Sequence, residues 1–177
     1  MSNPILCTQP LPNLDSVDTI VTASKNDDDV HHVYSILVST TWNKNDDVFG
    51  ADEVWVARHT PKYKPTNLDH DEKQMVGSII DNWAVTNDLQ LIAEDSSVED
   101  LPDHYHILVA SVIYKQWQDP AYQERAAKLI EQIEDGTMFV SMECIFRGFD
   151  YAIVDPSGKN HVLARSEDTA FLTQHLR

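Results

Sequence analysis

Glycine is scarce in this chain, with five in 177 residues, and none are spaced as GxGxxG or GxxxxGK. That absence argues against a phosphate-cradling loop and a nucleotide enzyme, and the missing G-x-S-x-G elbow removes the common hydrolase signature. Only two cysteines occur, Cys7 and Cys144. They lie far apart in unlike contexts, which excludes a disulfide framework and zinc-site spacing and suits a reducing compartment. Basic residues are few, 13 against 29 acidic, for a formal charge of -16. Such a field repels phosphate backbones, so nucleic acid is not an expected partner. No apolar run approaches the roughly 20 residues needed to cross a bilayer, and "MSNPILCTQPLPNLD" has no basic region followed by an apolar one. The expectation is a soluble protein with neither membrane partner nor export signal. Histidines number eight, but the "HH" at 31 and the "HYH" at 104 put no two imidazoles at i, i+4, and no HExxH is present. Neither metal nor other cofactor is expected.

Hydrophobic side chains make up 42% of the chain, enough for one sizeable core. Residues 1–16, with three prolines, read as an extended N-terminal arm, and residues 17–177 as a single domain. "VDTIVTA" (17–23) reads as a short strand, and "VYSILVSTTW" (33–42) as another, from its β-branched and aromatic content. "EVWVARHT" (53–60) reads as a third, and "PKYKPTN" as a proline-punctuated loop. Met75 to Val85 looks like a long strand that turns at "TNDLQ" and returns through "LQLIA" (89–93) as its hairpin partner.

The second half reads differently. Ile107, Ala110, Ile113, Tyr114 and Trp117 fall at helical spacing. A clearer helix follows in "DPAYQERAAKLIEQIEDG", with Asp119 as N-cap, Pro120 at the first position, a stripe of Tyr122, Ala126, Leu129, Ile130 and Ile133, and Gly136 as the stop. "TMFVSMECIF" (137–146) reads as a buried strand. "FDYAIVDPSGKNHVLAR" forms two strands around an Asp-Pro-Ser-Gly turn, and "SEDTAFLTQHLR" a closing helix capped by Ser166. The sum is α+β and β-rich, with no βαβ alternation.

Serine chemistry needs a hydroxyl, a base, a group to orient that base, and donors for an oxyanion. Ser141, inside the apolar run, is the best-placed hydroxyl, although a serine satisfied by the backbone of a sheet would look the same. His70 is the best-placed base, at the start of a strand after a proline-bounded loop, although a solvated histidine among acids would look the same. His106 reads as structural. Cys144 is set aside because residues 141 and 144 face opposite sides of a regular strand.

"ARHTPKYKPTNLDHDEKQMVGSIIDNWAVTNDLQLI" resembles the histidine region of the herpesvirus assemblin and tailed-phage prohead protease superfamily. "FVSMECIFRGFDYAIV" resembles the nucleophile region of the phage capsid maturation proteases, and "NHVLARSEDTAFLTQHLR" the end of their protease domain. The resemblance implies a partly or fully closed antiparallel β-barrel ringed by helices. It also implies a serine endopeptidase that acts inside an assembling procapsid in the host cytoplasm. Scaffold and major capsid proteins would be its substrates, along with itself, and assemblins are activated as dimers, so a homo-oligomer is expected. Ser141 would be the nucleophile, His70 the general base, and His161 the third member, with Asp69, Asp71 or Asp150 as acidic alternatives. Arg165, or the backbone N–H near Met142, would support the oxyanion. Phage relatives usually continue past "HLR" into a glycine-containing extension, so Arg177 is expected to mark a processed or abbreviated end. The rival reading is a non-catalytic capsid or scaffold component that keeps the protease fold as an interaction module.

Overall fold

The computed structural model describes residues 27–43 and 46–176; the expected arm (1–16) and first strand (17–23) lie outside them. Four strands form one antiparallel sheet in the order β1-β4-β3-β2: β1 Val30–Ser39, β2 Pro65–Leu68, β3 Asp71–Thr86 and β4 Tyr105–Tyr114. A separate hairpin pairs β5 Tyr151–Val154 with β6 Asn160–Leu163 around the expected Asp-Pro-Ser-Gly turn. Among the described residues two α-helices accompany the sheets, α1 Ala51–Ala57 and α2 Pro120–Glu134. This is a mixed α+β architecture. Among the described residues the large sheet stays open, with β1 and β2 as its edges, and does not close into the expected barrel.

Strand β4 is the spine of the core, paired on both sides and buried along nearly its whole length. Alternation sends Tyr105, Ile107, Val109 and Ile113 to one face and Leu108 and Ala110 to the other. Both helices lie on the first face. Val54 and Trp55 of α1 join Tyr105, Ile107 and Val109, and Leu129 and Ile133 of α2 join Ile113 and Val76. Each such side chain, fully buried, contributes roughly 1.5–3 kcal/mol. On the other face, Tyr34, Val85, Leu108 and Ala110 cluster beneath Ile36, Ile80, Trp83 and Leu89. Glycine is required at one point of this sheet. A Cβ on Gly77 would sit 1.8 Å from the Val112 carbonyl oxygen, so β3 and β4 approach there only without a side chain.

Several expectations are corrected. Residues 105–114 form a strand, not a helix; a strand buried on both faces shows no period to read. Residues 53–60 are not a strand, since 51–57 coil into α1. There the adjacent Val54 and Trp55 are buried while Val56 is 79% exposed, and Asp52 and Glu53 in the first turn favour the positive end of the helix dipole. The return segment 89–93 makes a single bridge, Val85 to Leu91, rather than a strand. The last helix is a 3₁₀ turn, Ala170–His175, entered through Thr169 instead of Ser166. Pro65 to Asn67, read as loop, begin the edge strand β2, where a missing N–H is tolerated.

The largest correction falls on "TMFVSMECIF". It has no regular structure and lies mostly open to solvent, with Ile145 fully exposed and Phe146 at 63%. Its origin is well defined. Asp119 caps α2 by accepting the Ala121 N–H at 2.8 Å, and Gly136 turns the chain out of the helix with φ +66. The Gln132 carbonyl then accepts from the N–H groups of Thr137 and Met138. Met138 packs beside Leu129 and Ile133, and beyond it the segment leaves the core.

Candidate active site

His70 owes its position to the tip of the β2–β3 hairpin. Leu68 pairs with Asp71, so Asp69 and His70 are the two central residues of a tight turn. Both have positive φ, 54 and 58, as a type I′ turn demands. Behind the tip the register slips between Asn67 and Leu68, leaving a bulge on the β3 side. The Asp71 carboxylate braces that bulge by accepting from the Gln74 amide at 2.8 Å and the Lys73 N–H at 3.0 Å. Those two bonds, the Gln74 one foremost, hold its carboxyl below the usual range.

The segment that leaves α2 passes over this tip. His70 Nε2 lies 2.9 Å from Ser141 Oγ, although the residues are 71 apart in sequence. On the opposite side of the ring, Nδ1 faces Glu143 Oε2 at 3.5 Å, an ion-pair distance rather than a tight hydrogen bond. The site is open, with the His70 side chain 47% and the Glu143 side chain 71% exposed. When Nδ1 carries the ring proton, Nε2 accepts from the Ser141 hydroxyl, the arrangement in which an imidazole can take a proton from a nucleophile.

His161 is engaged elsewhere. Its Nε2 lies 2.8 Å from Asp155 Oδ2, inside the turn of the β5–β6 hairpin. Asp155 also accepts from the Ser157 hydroxyl and from the N–H groups of Ser157 and Lys159, so its carboxyl is held far below the ordinary range, with Ser157 and then His161 the leading causes. Arg165 lays its guanidinium over the Phe149 ring at 4.7 Å, and its backbone N–H donates to Asp150. Of the acidic alternatives, Asp71 and Asp150 are thus committed to other donors. Met142 is half-buried, and among the described residues its backbone N–H donates to no acceptor.

The contact with Glu143 was not anticipated from sequence. Sequence carried no signal for it, because an irregular backbone has no period that would put residue 143 beside residue 141. A second serine–histidine pair, Ser39 Oγ and His106 Nδ1 at 2.7 Å, joins directly paired positions of β1 and β4. Burial lowers the His106 pKa, and among the described residues no carboxylate lies at ion-pair distance from it. Cys144 is an exposed free thiol. Among the described residues no three His, Cys, Asp or Glu side chains are grouped to hold a metal ion, and no helix is long and apolar enough to cross a membrane. No family model, curated protein or solved structure matches the chain.

Proposed function

We propose that this protein is a serine endopeptidase of the prohead maturation type, with Ser141 as nucleophile and His70 as general base. One observation carries the reading. Two residues 71 apart, singled out for nucleophile and base, lie with Ser141 Oγ 2.9 Å from His70 Nε2 on an open surface. In the reaction His70 takes the Oγ proton as Ser141 attacks the peptide carbonyl, and returns it to the leaving amine; water then releases the acyl-enzyme. Arg165 is held on Phe149, so the free N–H of Met142 is the better donor for the oxyanion.

The resemblance read in three segments points the same way and would give the biological setting, the cleavage of scaffold and capsid proteins in an assembling procapsid. An assemblin-like barrel belongs to this proposal too, since an antiparallel sheet with both helices on one face is suited to form part of such a wall. The test is Ser141→Ala and His70→Ala, each incubated with the cognate scaffold protein and read by mass spectrometry of new termini. Cleavage is expected to fall at least about a thousandfold in each. Unchanged cleavage in both would overturn the assignment.

A second reading, a non-catalytic capsid or scaffold component, draws on the apolar side chains left exposed along the Ser141 segment, among them Phe139 at 61% and Phe146 at 63%. In that case the same substitutions would leave head assembly intact, and scaffold would stay uncut by the unmodified chain.

A further inference from the structure

We propose that Glu143 is the positioning residue for His70, the place that the sequence resemblance gives to His161. The inference rests on the Ser141–His70 reading and concerns what orients the base. An imidazole linked to its nucleophile through one nitrogen can still swivel about χ2 and can still carry its proton on the wrong nitrogen. Both freedoms are limited by an acceptor at the other nitrogen. Glu143 Oε2 stands there, 3.5 Å from Nδ1, while Ser141 stands 2.9 Å from Nε2.

The grip comes from one short stretch. Ser141 and Glu143, two residues apart in one irregular stretch, reach the two edges of a single ring. Nucleophile and orienting acid therefore move together, and His70 enters between them from the tip of the β2–β3 hairpin. A carboxylate beside Nδ1 favours the Nδ1–H tautomer, and that leaves the Nε2 lone pair free for the serine proton.

Of the other candidates, Asp69 makes no ion pair with the His70 ring among the described residues, and three are committed elsewhere. His161 holds Asp155, Asp71 holds Lys73 and Gln74, and Asp150 holds the Arg165 N–H. Glu143, by contrast, makes no ion pair with a lysine or arginine among the described residues. Its exposure of 71% sets the scale of the effect. Water and salt screen an open carboxylate, so neutralising it should cost well under the about ten-thousandfold loss found for a buried triad acid.

A fluorophosphonate probe reads the nucleophile without a cognate substrate. Ser141 Oγ bonds to phosphorus, the P–F bond breaks, fluoride leaves, and the hydroxyl proton passes to His70. Glu143→Gln keeps the shape and removes the charge, and should slow labelling about fivefold. Glu143→Asp should recover part of the rate, and His161→Asn should stay within about twofold of the unmodified protein. A structural lesion alone would not move the second readout, the ¹⁵N NMR spectrum of the His70 ring at neutral pH. There the Nδ1–H tautomer should lose population in Glu143→Gln and keep it in His161→Asn.

Labelling and tautomer both unchanged in Glu143→Gln, with labelling abolished by Ser141→Ala and by His70→Ala, would overturn the role of Glu143 and leave the nucleophile in place. A serine inert in the unmodified protein would instead overturn the nucleophile reading, and the tautomer measurement would still decide whether Glu143 holds the ring. Loss of labelling in His161→Asn equal to that in Glu143→Gln would return the role to His161.

Discussion

At His70 the backbone sits in a region that side chains with a Cβ avoid, at φ +58, directly after Asp69 at φ +54. Two-residue hairpins satisfy this demand most easily with Asn-Gly or Asp-Gly. Histidine tolerates it better than most residues, but glycine in its place would relieve steric strain on the order of 1 kcal/mol. Position 70 is therefore expected to trade stability for chemistry. His70→Gly and His70→Ala should both abolish fluorophosphonate labelling, yet urea denaturation should find the glycine variant more stable by about 0.5–1 kcal/mol, because alanine keeps the Cβ and gains nothing for it. Equal stabilities would mean that the turn is relaxed. The sequence offered half of this. "NLDHDE" after a proline-bounded loop pointed to an imidazole beside a strand, but it read the histidine as the start of β3, whereas the structure makes it the turn itself. Turn residues without glycine carry no sign of positive φ, and that is why the tip was missed.

Among the elements, those with a one-sided environment were legible and those without were not. Helix α2 carries its own punctuation, with Asp119 at the cap, Pro120 at the first position and Gly136 just past the end, and it appears as expected. Strand β4 is packed on both faces, so Ile107, Ala110 and Ile113 were only a chance selection at helical spacing from an unbroken buried run. The β-branched content of "ILVASVI" was the better guide. In α1 the alternation of "EVWVA" imitated a strand within a helix of 7 residues, too short to display its own period. The Ser141 segment fails for a third reason, since apolar residues predict burial only when the chain has something to bury them against. Helix α2 also aims that segment, so its cap can be tested apart from the chemistry. Asp119→Ala removes the acceptor for the Ala121 N–H and should lower stability by about 1 kcal/mol in urea denaturation. Labelling of Ser141 should stay within about twofold under folding conditions, because Gly136 and the Gln132 carbonyl still set the exit. A much larger loss of labelling would show that the cap contributes to the site and not only to the helix.

Over the whole molecule, the charge of -16 and the partly buried histidines act on stability in different pH windows. His31, His32 and His106 all have pKa values lowered from 6.5, with burial the leading cause in each. The groups facing them are mixed: Glu134 and Lys115 for His31, Asp27 and Lys115 for His32, and the Ser39 hydroxyl for His106. A base with a depressed folded pKa binds fewer protons in the folded chain than in the unfolded one. Stability then rises with pH through this range, is fully present above the unfolded value, and is lost as pH falls from there through the folded value. Urea midpoints should therefore drop between about pH 7.5 and pH 5.5, ahead of any carboxylate protonation near the ordinary aspartate range. His106→Asn removes one of the three groups and should flatten that slope, even though the loss of the Ser39 contact lowers stability at every pH. Self-repulsion among surface carboxylates runs the other way, weakening as protons bind, and salt separates the two. About 0.5 M sodium chloride shortens the Debye length to about 4 Å and should damp the repulsive part while leaving the histidine part in place. A midpoint that stays level from pH 7.5 to 5.5 in high salt would mean that these imidazoles take up protons in the folded sheet as readily as in water. The burial of β4 and its neighbours would then be looser than their packing indicates.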